Sequence, residues 1–90
     1  MDDSGTEEKS RAEKLIAASE ALSGVENVRV ELYDDFTGDP ALRVIFLLRN
    51  GFKPDSAWIE AFSTYSTKLT LRLLDSGLKR FPYVVLKDAA

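Results

Sequence analysis

The spacing of apolar residues changes along the chain, and each change marks an element. Ala12, Leu15, Ile16 and Leu22 recur at helical spacing, with Ser19 filling one place, which is the repeat of an amphipathic helix. Ser4-Gly5-Thr6-Glu7 ahead of them has the capping-box spacing, and Ser23-Gly24 behind them supplies a left-handed stop. The polar face, Glu8, Arg11, Lys14 and Glu20, reads as solvated. From Val28 to Tyr33 the period becomes two, with Val28, Val30 and Leu32 on one side and Arg29, Glu31 and Tyr33 on the other, predicting a strand covered on one side. Residues 34–39, Asp34-Asp35-Phe36-Thr37-Gly38-Asp39, and then Pro40 concentrate turn formers before a second strand runs from Ala41 to Arg49. An antiparallel hairpin with a longish loop follows.

Asn50 to Asp55 breaks the pattern again, with Asp55 or Ser56 placed to cap a second helix. Trp58, Phe62, Tyr65, Leu69 and Leu73 fall on one face of it, flanked by Ile59 and Ala61. Lys68 to Leu73 also alternates strictly, so a shorter helix followed by a strand is an alternative. Helix is preferred, because Asp75-Ser76-Gly77-Leu78 has the form of a glycine C-cap with an apolar residue folding back. Tyr83 to Lys87, rich in β-branched and aromatic residues and entered through Phe81-Pro82, makes a third strand. A right-handed crossover sets it parallel to the second strand if the two pair, or antiparallel to the first if it inserts beside that one. The expected fold is therefore α+β, a two-layer sandwich in αββαβ order, with a three-stranded sheet and two helices on one face, in a single domain spanning residues 1–90. Its core is expected from Leu15, Ile16, Leu22, Val30, Leu32, Val44, Phe46, Trp58, Phe62, Leu69, Leu73, Val84 and Leu86.

Composition narrows the chemistry. The chain of 90 residues has no cysteine and no histidine, which removes disulfides, thiolates and the commonest general base and metal ligand. No run approaches the ~20 apolar residues of a membrane span, and Asp2, Asp3, Glu7 and Glu8 stand where a signal peptide is basic and then apolar. A cytoplasmic protein is expected, with no membrane partner. The net charge of −3 conceals an asymmetry: residues 1–40 hold eleven acidic and four basic side chains, −7, and residues 41–90 four acidic and eight basic, +4.

The acidic loop lacks calcium-site spacing: from Asp34 an EF-hand would place Phe36 third and Gly38 fifth, and from Asp35 it would place Pro40 where glycine belongs. Aspartates bonding nearby amides are the expected role. Glu31-Leu32-Tyr33-Asp34 lacks the paired aspartates of a nucleotidyltransferase strand, and there is no P-loop, dinucleotide fingerprint or Ser-His-Asp set. No catalytic residue, metal, cofactor or small-molecule substrate is implied, and a non-enzymatic protein is expected.

Two surfaces remain. The second helix carries Ser63, Ser66, Thr67 and Thr70 away from Trp58 and Phe62, with Leu71 and Leu74 near this stripe, which reads as a contact surface or an uncharged solvent face. If the second strand points Leu42, Val44, Phe46 and Leu48 inward, then Arg43, Ile45, Leu47 and Arg49 face outward beside Tyr33, Tyr83 and Val85. An aliphatic centre rimmed by tyrosine and arginine has the anatomy of an interface. The expected partner is a second copy or another protein; the alternative is single-stranded nucleic acid, with tyrosines stacking bases and arginines meeting phosphates.

The element order resembles a bacterial-type KH domain, but no glycine occurs between Gly51 and Gly77 to form its backbone-clamping loop. The stretch Tyr33 to Leu42, with its Gly38-Asp39-Pro40-Ala41 turn, and Gly77 to Val84, with its Phe81-Pro82-Tyr83-Val84 strand, resemble a family of small uncharacterised bacterial proteins associated with gene neighbourhoods of HEPN-type RNase toxins. That resemblance, spanning about residues 28–87, implies a small helper or antitoxin-like protein, with no catalytic residues to carry over.

Overall fold

The computed structural model describes residues 3–20 and 22–88. Its elements are α1 (Asp3–Ala18), β1 (Val25–Asp34), β2 (Pro40–Leu48), α2 (Ser56–Asp75) and β3 (Phe81–Asp88). The sheet order is β1-β2-β3. β1 and β2 are antiparallel, with Val30 opposite Val44 and Leu32 opposite Leu42. β3 lies parallel to β2, with Val44 opposite Val84 and Phe46 opposite Leu86, so of the two placements open to the third strand it takes the outer one beside β2.

Both helices cover one face of this mixed sheet. Val30, Leu42, Val44 and Phe46 from the strands meet Ala12 from α1, Leu69 and Leu73 from α2, and Leu78. Period two in the strands thus selects the covered face. α2 runs unbroken through the ambiguous segment 68–73: Asp55 caps it, its carboxylate accepting from the Trp58 amide at 2.8 Å. Gly77, at φ 95°, turns the chain out, and Leu78 folds back into the core.

Four expectations are corrected. α1 takes in Ser4, so the capping-box serine sits within the first turn, and its side chain lies outside the described part. The helix also ends at Ala18 rather than near Leu22. Ser19 turns it off, its hydroxyl donating to the Leu15 carbonyl at 3.0 Å, and Gly24 serves the entry to β1 instead. Leu32 and Leu86, assigned to the core, are exposed, because β1 and β3 are the sheet's margins and these positions lie beyond the cover of the helices. Finally, the polar face of α1 is not wholly solvated. Glu8 is only 7% exposed, its Oε1 accepting from the amides of Lys79 at 2.7 Å and Arg80 at 3.0 Å. Arg11 reaches the Ser76 carbonyl at 3.1 Å. α1 thereby grips the turn that launches β3.

A second junction closes the far end. Gly24 has φ 84°, and a Cβ built there would stand 2.5 Å from the Phe52 ring. Phe52 meets Trp58 edge-on at 5.4 Å, and Trp58 stacks on Phe62 at 5.3 Å. Phe62 meets Phe46 at 5.4 Å. The Trp58 indole N–H donates to the Ser23 carbonyl at 2.8 Å, tying α2 to the strand entry.

Candidate interaction surface

The uncovered sheet face holds most of the residues expected to form an interface, but it does not present them as an apolar platform. At its hairpin end Ala41 lies between Tyr33 on β1 and Phe81 on β3, and it is fully buried. A small side chain there lets the Tyr33 and Tyr83 rings meet edge to face at 5.9 Å, with Phe81 against Tyr83 at 4.8 Å. The Arg43 guanidinium stands 4.3 Å from the centre of the Tyr33 ring and 4.0 Å from Glu31.

Ile45 is the main correction. It has 0% exposure, although neither helix lies on its side. It occupies the central strand, flanked by Arg29 and Val85 in register and by Arg43 and Leu47 two residues away. The stems of these longer or branched neighbours enclose it. Leu47 and Val85 are half-buried. Arg49 lies outside the group: it follows the end of β2, is exposed, and stands 6.0 Å from the Phe52 ring. Of the seven residues expected to share an interface, the structure therefore joins Tyr33, Arg43 and Tyr83, sets Leu47 and Val85 beside a sealed Ile45, and sends Arg49 elsewhere.

Turn chemistry explains the acidic loop. Asp35 Oδ1 accepts from the Thr37 hydroxyl at 2.6 Å, the Thr37 amide at 2.9 Å and the Asp39 amide at 3.0 Å. The Thr37 hydroxyl bond, chiefly, holds the Asp35 carboxyl below its ordinary range, with partial desolvation opposing it. Its other oxygen accepts from the Tyr83 hydroxyl at 3.3 Å. Partial burial, and then the Asp35 charge, push the Tyr83 phenol up. Among the described residues no three ligand-type side chains gather as for a metal ion, and no helix is long and apolar enough to cross a membrane.

Apart from Leu32 on β1 and Phe36, the exposed large apolar side chains of the described residues lie on β3 and α2. β3 is a margin strand whose outer edge has no partner among the described residues. Phe81 and Leu86 are 45% and 37% exposed, and on α2 Leu71 and Ile59 are 57% and 52% exposed. Ser66, Thr67, Thr70 and Leu71 line a groove of about 260 Å³ with Phe81, Pro82, Tyr83 and Val84. Phe36, 96% exposed, stands apart at the hairpin tip. Sequence reading noted the serine-threonine stripe and Leu71 but not their meeting with β3, since that follows from β3 taking the outer place. No protein-family model matches the chain, and comparison with curated proteins and with solved structures gave no match, so the resemblance drawn from the Gly-Asp-Pro-Ala turn and the Phe-Pro-Tyr-Val strand rests on those residues alone.

Proposed function

We propose that this protein is a non-enzymatic interaction module that docks protein along the outer edge of β3 and the adjoining flank of α2. One observation carries the reading: the first six residues of the margin strand β3, Phe-Pro-Tyr-Val-Val-Leu at 81–86, carry no charge ahead of Lys87 and Asp88, and exposed Phe81 and Leu86 on it are joined by exposed Leu71 and Ile59 on α2. An unpaired strand edge presents main-chain donors and acceptors as a template for another chain, and proteins ordinarily blunt such edges with charge. β1, the opposite margin, is blunted in that way by Glu26, Arg29, Glu31 and Asp34. A regulatory task, of the antitoxin-like kind the sequence resemblance implies, is compatible with docking of this type.

Nucleic-acid binding on the uncovered face is the weaker reading. Tyr33 and Tyr83 already pack on one another, Arg43 is stacked and close to Glu31, and the Asp35 carboxylate adjoins Tyr83, so an incoming phosphate meets carboxylates as well as a cation. The test is comparative co-purification from cells expressing the tagged chain, wild type against a Ser63→Arg/Leu71→Lys double variant. Protein retained by the wild type and released by a folded variant is the expected result; companions identical in the two preparations would remove the reading.

A further inference from the structure

Resting on the reading above, we infer that the occupant of this edge is a second copy of the chain, joined by antiparallel pairing of β3 with β3 of its partner about a two-fold axis. Such an interface is isologous, so every residue near the axis meets its own kind, and a charged side chain there would face its like. The surfaces involved satisfy that condition. The strand is uncharged from Phe81 to Leu86, and Ile59, Ser63, Ser66, Thr67, Thr70 and Leu74 give α2 an uncharged flank at helical spacing. Pro82 removes one main-chain donor at the start of the strand, which centres pairing on the residues after it.

Helix geometry points the same way. α2 packs over β3. Because Phe62, Leu69 and Leu73 of α2 also meet Val44 and Phe46 of β2, the helix lies between β2 and β3; with paired strands about 4.7–4.9 Å apart, it stands about two strand spacings from its copy across the axis, about the 8–10 Å of packed helices. Small side chains are needed where helices approach that closely, and Ser63, Ser66, Thr67 and Thr70 occupy the flank, with Ile59 and Leu71 toward its ends. The exposed apolar side chains supply about half of the area such an interface needs. Taking about 200 Å² for a large apolar side chain, the exposed fractions of Leu71, Ile59, Phe81 and Leu86 leave on the order of 400 Å² per protomer. Two protomers then supply about 800 Å² before the main chain and the hydroxyl stripe are added, against about 1,200–2,000 Å² for specific interfaces.

Sedimentation of the full chain, with single-cysteine cross-linking, tests this. The sequence contains no cysteine, so an introduced thiol is the sole one. The wild type is expected to sediment as a dimer, and Ser63→Arg, at an exposed position, to weaken association at least tenfold with unchanged circular dichroism. One of Val84→Cys, Val85→Cys or Leu86→Cys should oxidise to a covalent dimer, because a residue on the axis meets its copy within the about 4.4–6.8 Å Cα separation of a disulfide; Glu31→Cys on the opposite margin should not. A wild type that stays monomeric to about 1 mM overturns the inference, and so does a dimer that survives Ser63→Arg or cross-links through Glu31→Cys. Should Ser63→Arg fail to fold, the cysteine series decides. A monomeric wild type that still releases bound protein on substitution of the α2 flank would leave the docking function standing without the second copy; one that does not would remove both.

Discussion

Replacing Glu8 tests how α1 controls the position of the margin strand. Its carboxylate accepts from two successive amides, Lys79 at 2.7 Å and Arg80 at 3.0 Å, across more than seventy residues of sequence. Charge-assisted bonds of this kind contribute about 1.5–3 kcal/mol each, and a removed acceptor leaves its donors unsatisfied. Because the site is part-buried, the lower bound is appropriate, so Glu8→Ala is expected to cost about 3 kcal/mol. Glu8→Gln keeps an acceptor but loses the charge, which accounts for about half the strength, and should cost about 1–1.5 kcal/mol. For a domain of this size each kcal/mol moves the midpoint by about 4–8 °C, giving a fall of about 12–24 °C for the alanine variant. Urea unfolding followed by far-ultraviolet circular dichroism reads both values. An alanine variant melting within about 3 °C of wild type, or a glutamine variant as impaired as the alanine one, would refute the assignment of this carboxylate as the anchor of the β3 turn.

Three further expectations follow from geometry. Ile45→Ala should cost about 2–5 kcal/mol, as for a core residue, whereas Leu47→Arg should leave the sedimentation coefficient unchanged, because the inferred contact is at the sheet margin and not on its uncovered face. Gly24→Ala should cost more than about 1 kcal/mol, since it meets both a positive φ and the Phe52 ring; urea unfolding followed by Trp58 emission reads it. Asp35→Asn should lower the ionisation of Tyr83 toward its ordinary 10.0, seen as an earlier phenolate absorbance change, while Tyr65, raised by its own burial, stays where it is. The sign of the stability dependence follows: the Tyr83 contribution is intact below pH 10.0 and is lost as pH rises through the raised value, and the Asp35 contribution is intact above 3.8 and is lost as pH falls through the lowered one. The Asn variant should lose the acid limb and keep a smaller alkaline one, because burial of Tyr83 remains.

Local signals carried the fold a long way. Alternation through Val28 to Tyr33 and Ala41 to Arg49 set the inward faces, and Asp55 and Gly77 delimited α2, because caps and side-chain period depend on neighbours a few residues away. What escaped depends on assembly. Ile45 and Leu32 sit in strands of similar alternation, yet the first is sealed on the uncovered side and the second exposed on the covered side, since central and marginal strands differ in their flanking side chains. Glu8 looks like any surface acid until the turn at Lys79 and Arg80 is folded against it. Tyr33, Arg43 and Tyr83 were legible as companions because alternation puts all three on the uncovered face, where Arg43 lies opposite Tyr83 and diagonal to Tyr33. Arg49 was not separable from them, since its departure follows from β2 ending one residue earlier.

The aromatic run through Phe52, Trp58 and Phe62 has an optical consequence. The chain has a single tryptophan, held by the Ser23 carbonyl and stacked on Phe62, with its emission set by the closure of the β1 entry. That chromophore reports the integrity of one junction, where Ser23, Phe52 and Phe62 surround it. Its emission follows the opening of that junction on denaturation, and a label placed on β3 would report directly on the sheet margin.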